Sequence, residues 1–232
     1  MLEIDRLCVN YGRVRALDEV SLEIGGEGVL HGVIGPNGAG KSTLLDAVSG
    51  RRRPTQGAIR YCGQDITGKS VAWRRHRGMA RSFKRTSIFP DLTVDEQLRL
   101  VAWRLGDDRL DEIIQALDLT DYLREPDGRI AYGVQRRVDV ALALIGRPQL
   151  LLMDEPGAGL SAEETLHLFQ HVRALVAERR IAAVIVEHDV DAVFSCCDVV
   201  TVLDLGRRLA TGNPAEIRAD ARVVEAYLGS AA

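Results

Sequence analysis

Long hydrophobic runs are absent from this 232-residue chain. Its longest apolar stretches, residues 150–153 and 181–186, are strand-sized, and a bilayer span needs about 20 residues. The N-terminus is mixed and acidic with no apolar h-region, so no signal peptide is expected. Any service to a membrane would then be that of a peripheral subunit. An excess of one charge is absent too: 30 Lys and Arg face 33 Asp and Glu, which leaves −3. No bulk field argues for nucleic acid or for an anionic membrane surface. Cysteine is scarce, and Cys8, Cys62, Cys196 and Cys197 lack the spacing of metal ligands. Reduced, packing thiols of a cytosolic protein are expected. Repeats, low-complexity stretches and a clear interdomain linker are missing. The length fits one α/β domain, or one with a subdomain, and 46% hydrophobic residues suffice to bury a core without staples.

What is present is a phosphate loop. Residues 35 to 42 read Gly-Pro-Asn-Gly-Ala-Gly-Lys-Ser, the Gly-x-x-x-x-Gly-Lys-Ser/Thr pattern. Its glycines let successive N–H groups turn inward at phosphate oxygens, and the following helix adds the positive end of its dipole. Lys41 supplies a compact charge for the outer phosphates. Ser42 places a hydroxyl where a phosphate-bound Mg²⁺ can use it. Gly35, Pro36, Asn37, Gly38, Ala39, Gly40, Lys41, Ser42 and Thr43 are the candidate nucleotide-binding residues. An apolar strand over 29–34 before the loop and a helix over 43–49 after it complete the expected context.

Residues 1–33 alternate apolar and polar as half-buried strands do, and Gly25-Gly26 breaks the run. Another strand is expected over 58–61. Residues 69–85 are basic, with Lys69, Arg74, Arg75, His76, Arg77, Arg81, Lys84 and Arg85. A solvated face is the ordinary reading of such a run, and a partner-contact surface is the other. The pattern is helical from Leu92 to about Leu123 and again from Val134 to Ile145, where Gly146 and Pro148 end it. The apolar run 150–153 has the character of a central parallel strand. A helix over 163–179 and strands over 181–186 and 199–203 follow. This alternation implies a parallel α/β core.

Residues 150–155 read Leu-Leu-Leu-Met-Asp-Glu, so the strand delivers two carboxylates to its carboxyl end, where ligands of open α/β sheets bind. Asp154 suits Mg²⁺, and Glu155 suits polarisation of an attacking water. With these motifs in order, the chain resembles the nucleotide-binding subunits of ABC transporters over nearly all its length. The resemblance implies an α/β P-loop NTPase of ABC ATPase type: a parallel core sheet, an N-terminal antiparallel β region and a helical subdomain over about 86–145, all within one domain, 1–232. It implies that Tyr11 stacks on adenine, that His188 is the switch histidine, and that Gly159, Leu160 and Ser161 form the dimer loop. Ala131, Tyr132, Gly133, Val134 and Gln135, with Ile130 before them, fall where the family signature Leu-Ser-Gly-Gly-Gln lies and would face the partner subunit's ATP. The stretches 82–94, 132–137, 158–165 and 224–229 resemble the branched-chain amino acid subgroup, G-type. Urea and short-amide importers use similar ATPases.

The implied activity is Mg²⁺-dependent ATP hydrolysis that drives import. Catalysis would fall to Lys41, Glu155 and His188, and the metal to Ser42 and Asp154. The implied partners are a second ABC ATPase subunit, two transmembrane permease subunits and, indirectly, a periplasmic or extracellular solute-binding protein, with no nucleic acid. The implied place is the cytoplasmic face of the inner or plasma membrane. Three residues depart from the family pattern. Lys84 stands where the family has Gln, and lysine, with donors only, cannot ligate a metal. The site would hydrolyse slowly, or Lys84 would turn to the γ-phosphate. Ala131 replaces the signature Ser, and Ser161 replaces the usual Asp of the dimer loop. Together they suggest unequal sites in an asymmetric heterodimer. The same departures favour the alternative of a catalytically weak regulatory subunit.

Overall fold

Three strands buried along their whole length carry the site. In the computed structural model, which describes residues 1–228, these are β3, β7 and β8. The chain runs β1 (Leu2–Tyr11), β2 (Val14–Ile24), β3 (Leu30–Ile34), α1 (Lys41–Ser49), β4 (Gln56–Tyr61), β5 (Gln64–Asp65), α2 (Val71–His76) and β6 (Met79–Ser82). It continues with α3 (Val94–Leu105), α4 (Leu110–Ala116), α5 (Tyr132–Leu144), β7 (Leu150–Asp154), α6 (Ala162–Glu178) and β8 (Ala182–Val186). Last come α7 (Val190–Cys196), β9 (Val199–Asp204), β10 (Arg207–Gly212), α8 (Pro214–Ala219) and α9 (Ala221–Leu228).

The larger sheet has the order β10-β9-β3-β8-β7-β6, parallel except for the edge strand β10. The smaller sheet, β2-β1-β4-β5, is antiparallel. One core lies between this sheet, α1 and the facing side of β3, β7 and β8, where Leu22, Leu44, Val33 and Leu152 meet. The other lies beneath the helices on the opposite side and includes Leu98, Ile113, Val138, Met153 and Phe169. The continuous apolar run 150–153 becomes a strand covered on both faces, as expected, and the strand expected over 181–186 is buried in the same way over Ala182–Val186.

Three expectations need correction. The helical pattern from Leu92 to Leu123 is two helices, because Gly106 turns left-handed at φ 66° and caps α3. The Asp107 carboxylate then accepts from the Arg109 and Gly146 N–H groups and fixes the break. The basic run is not one solvated face. Arg74 is 2% exposed and donates to the carbonyls of Lys69, Ala47, Val48, Ile66 and Thr67, so a charge satisfied by backbone oxygens is buried. The cysteines are all free thiols, but Cys62 is exposed and only Cys8 and Cys197 are buried. The subgroup-like stretch 224–229 ends at Gly229, outside the described residues. Among the described residues no helix is long and apolar enough to cross a membrane.

Candidate active site

Strand register assembles the site. β6 pairs with β7 so that Ser82 lies opposite Met153, and β7 pairs with β8 so that Asp154 lies opposite Val186. β8 pairs with β3 so that Val186 lies opposite Val33. Each chain continues past its strand at the same end of the sheet. Lys84, Glu155 and His188 are therefore delivered side by side, next to the loop that follows β3. That loop, with Tyr11, Glu155 and His188, lines an open cleft of about 310 Å³.

Gly40 closes the loop at φ 99°, and a Cβ there would lie 2.5 Å from the Ala16 carbonyl oxygen. Only glycine fits that left-handed, crowded position. The N–H groups that open α1 are thereby aimed into the cleft. Lys41 is 5% exposed, and its ammonium donates to the carbonyls of Gly35 at 2.7 Å and Pro36 at 3.0 Å. Burial pulls its pKa down, against the raising effect of Glu155, Asp154 and Glu187. The Lys41 side chain thus curls over its own loop, and an entering phosphate would exchange charged oxygens for carbonyl ones.

Asp154 is 6% exposed, with both oxygens engaged. Ser42 Oγ donates to Oδ1 at 3.0 Å, and Arg81 Nη2 donates to Oδ2 at 2.8 Å. Arg81 is itself fixed to Asp46 at 2.7 Å and to Ser49 at 2.8 Å, both on α1. Magnesium binds through one or two protein oxygens plus substrate phosphates and water. The adjacent Ser42 hydroxyl and Asp154 carboxylate fit that demand; Lys84, with no acceptor, does not.

Glu155 has φ 48°, a left-handed conformation uncommon for a residue with a side chain. Its N–H donates to the Val186 carbonyl at 2.8 Å. His188 Nε2 lies 2.7 Å from Oε1, and Lys84 Nζ pairs with Oε2. Burial works to raise the Glu155 carboxyl, but these two hydrogen bonds and their charges outweigh it and hold the pKa below its ordinary value. Lys84 is raised in return, chiefly by the Glu155 hydrogen bond. The carboxylate is ionised and aimed at the cleft, as a base must be.

Three residues of the site were given no role by sequence reasoning. Arg81 was counted in the basic run, and only its distant partners reveal its task. Arg136, on α5, is 2% exposed and donates to the carbonyls of Glu155, Pro156 and Phe83. Nothing in the periodicity of α5 marks it as buried. Glu187 is 4% exposed, and its carboxylate accepts from Gly157 N–H at 2.6 Å and His188 N–H at 2.8 Å. Burial raises its pKa, and these N–H donors work against that rise.

The signature stretch and the dimer loop lie together, and none of their residues lines this cleft. Ala131 is the residue before α5 and offers no side-chain cap, so the helix N-terminus stays open. Ser161 caps α6 in a reciprocal box with Glu164. A Cβ on Gly159 would come 2.8 Å from the Tyr132 ring, so glycine lets the two segments touch. Tyr11 is 43% exposed at the cleft, with the Arg52 guanidinium 4.4 Å from its ring centre.

Residues 17–158 match the family model described as ABC transporter. The chain belongs to that family. It is an ATP-binding cassette that couples ATP hydrolysis to transport across a membrane. Residues 207–232 match a second family model, described as branched-chain amino acid ATP-binding cassette transporter. The cassette is 32% identical over its full length to the high-affinity branched-chain amino acid transport ATP-binding protein BraF of Pseudomonas aeruginosa, covering 98% of that protein. It is 30% identical, again over its full length, to LivG of Escherichia coli, covering 98% of it. It is 37% identical over 91% of its length to the arabinose import ATP-binding protein AraG of Azospirillum brasilense, covering 42% of that protein. Among solved structures, an ATP-binding cassette of an ABC transporter in its ADP conformation superimposes with a TM-score of 0.89 at 28% identity, over 99% of this chain and 98% of that one. A nucleotide-free cassette gives 0.87 at 27% identity, over 98% of each chain.

Proposed function

We propose that this cassette powers import of branched-chain or related amino acids as a peripheral subunit on the cytoplasmic face of the membrane. One observation carries the chemistry: Glu155, held by His188, faces the phosphate loop across a single cleft. The match of residues 207–232 to the branched-chain model and the full-length likeness to BraF and LivG support the solute class. In this reading the Gly35–Thr43 loop and Lys41 bind the phosphates and Tyr11 stacks on the base. Ser42 and Asp154 hold Mg²⁺, which when bound neutralises phosphate charge. Glu155 takes the proton of the attacking water, and His188 orients Glu155 and stabilises charge on the transferred phosphoryl group.

Two cassettes would close head to tail. Ala131–Gln135 and Gly159–Ser161 of each would then face the ATP of the other, and the open N-terminus of α5 would supply N–H donors in place of the missing signature hydroxyl. Residues 86–145 would act as a helical subdomain. Two permease subunits would receive the closing motion through residues 84–91, where Phe89 is 55% exposed, and a solute-binding protein would serve the permease from outside. Gentle purification of the tagged subunit from its native membranes, followed by solute uptake in vesicles, tests this. Two permease subunits, a second ATPase and uptake of leucine or a related amino acid are expected. Recovery with no membrane partner would overturn the transport role, and uptake of urea or amides alone would overturn the solute.

The Lys84–Glu155 ion pair favours a second reading, a catalytically weak subunit of an asymmetric complex. Replacing the base of each cassette in turn separates the two. Unchanged turnover when Glu155 alone is replaced, with loss of turnover when the other cassette's base is replaced, would establish the weak subunit.

A further inference from the structure

We propose that Lys84 is a clasp on Glu155 that the γ-phosphate of ATP displaces, so that this residue distinguishes nucleoside triphosphate from diphosphate. The proposal rests on the reading of Glu155 as the base and of the Gly35–Thr43 loop as the nucleotide site.

Both oxygens of Glu155 are taken, Oε1 by His188 at 2.7 Å and Oε2 by Lys84. A carboxylate oxygen that already accepts from an ammonium is a poorer acceptor for a water proton. The cleft therefore has to free one oxygen before hydrolysis. The two partners of Glu155 differ in how they can move. His188 lies two residues past β8, and its backbone N–H is held by the Glu187 carboxylate at 2.8 Å. Lys84 sits past the end of the edge strand β6, and its side chain is 63% exposed, against 9% for Glu155. A flexible four-carbon stem in solvent can swing at little cost, whereas a carboxylate pinned by a left-handed backbone cannot.

The neighbouring cations are differently placed. Arg81 is fixed by Asp46, Ser49 and Asp154, and Lys41 lies buried over its own loop. Lys84 is the cation of this group that is free to leave its anion for a better one. A terminal phosphate carries more charge on more oxygens than a carboxylate does, and lysine binds phosphate as a point charge. ATP would therefore draw Lys84 off Glu155, leave Oε2 for the attacking water, and gain one charge-assisted contact that ADP lacks. The lysine cannot do the metal-binding task of a glutamine, but it can make freeing of the base conditional on the γ-phosphate.

The test is equilibrium binding by the full chain, without turnover. Titration calorimetry would measure ADP and the β,γ-imido analogue of ATP against the native chain and Lys84→Met. Because the side chain is largely exposed, the variant is expected to melt within about two degrees of the native protein. Affinity for the triphosphate analogue should fall by about tenfold or more, while affinity for ADP stays within about twofold. Equal losses for both ligands, or tighter triphosphate binding by Lys84→Met, would overturn the clasp. Failure of the native chain to bind either nucleotide would instead overturn the site on which the proposal rests.

Discussion

The Arg136 guanidinium reaches from α5 to the backbone carbonyl of Glu155. The same group donates to the carbonyls of Pro156 at 3.0 Å and Phe83 at 2.9 Å. One buried cation thus joins α5, which begins within the signature stretch, the turn that carries Glu155, and the segment that carries Lys84. Movement of α5 has a short mechanical route to the Glu155 carboxylate.

Removing that cation should be costly. Arg136→Met leaves two buried carbonyls and one half-buried carbonyl without their donor, and each unmade buried hydrogen bond costs about 1–3 kcal/mol. A loss of about 3–5 kcal/mol in urea unfolding is expected. Arg136→Lys should recover less than half, because one ammonium cannot span three diverging carbonyls as a planar fork does. A loss under about 1 kcal/mol in Arg136→Met would mean that the carbonyls find other donors.

Glu155→Gln tests the base directly. The amide keeps the shape of the side chain but cannot take a proton. ATP binding should persist, and hydrolysis by the assembled complex should fall by about 10² to 10⁴-fold. Full activity in this variant would assign the proton transfer elsewhere.

How much of this could be read from residues alone depends on whether the information was local. The phosphate loop and the Asp154-Glu155 strand end are contiguous motifs, and β7 and β8 announce themselves as unbroken apolar runs. β6 does not: Met-Ala-Arg-Ser shows no strand pattern, because Arg81 is buried only through partners on α1 and β7. The break between α3 and α4 was hidden because Leu110, Ile113 and Leu117 resume apolar spacing after Gly106. Lys84 was legible as a departure from the family pattern. Its hold on Glu155 was not, since that depends on the register of strands about 70 residues apart in the chain.

Tyr11 offers a graded test of the adenine contact. Arg52 lies over its ring and also donates to the Asn10 carbonyl at 2.6 Å. The ring is therefore held in place at the cleft edge before any nucleotide arrives. Tyr11→Ala should weaken ATP binding by the equivalent of about 1–3 kcal/mol, the usual worth of one base stacked on an aromatic. Tyr11→Phe should stay within about twofold, because the stack uses the ring face. Arg52→Ala should cost less than Tyr11→Ala, about 0.5–1 kcal/mol for a half-buried cation over a ring. Equal affinities across all three variants, measured by titration calorimetry, would remove Tyr11 from the site.

His31 sets an acid limit on the fold. It lies on the central strand β3, 2% exposed, with Nε2 2.8 Å from Thr201 Oγ1, which in turn lies 2.9 Å from Thr211 Oγ1. Burial pushes its pKa down to about 4, against an ordinary value of 6.5. The native state therefore keeps His31 neutral where the unfolded chain takes up a proton. This contribution to stability is complete above about pH 6.5 and declines as pH falls toward 4, by about 1.4 kcal/mol per pH unit. Between pH 7 and pH 5 the native chain should lose about 2 kcal/mol from this group. His31→Gln keeps a hydrogen-bonding side chain next to Thr201 and removes the titration. Urea unfolding of both proteins at the two pH values should show the variant losing about 2 kcal/mol less than the native chain. Equal losses would place the acid sensitivity on the carboxylates and leave His31 without a part in it.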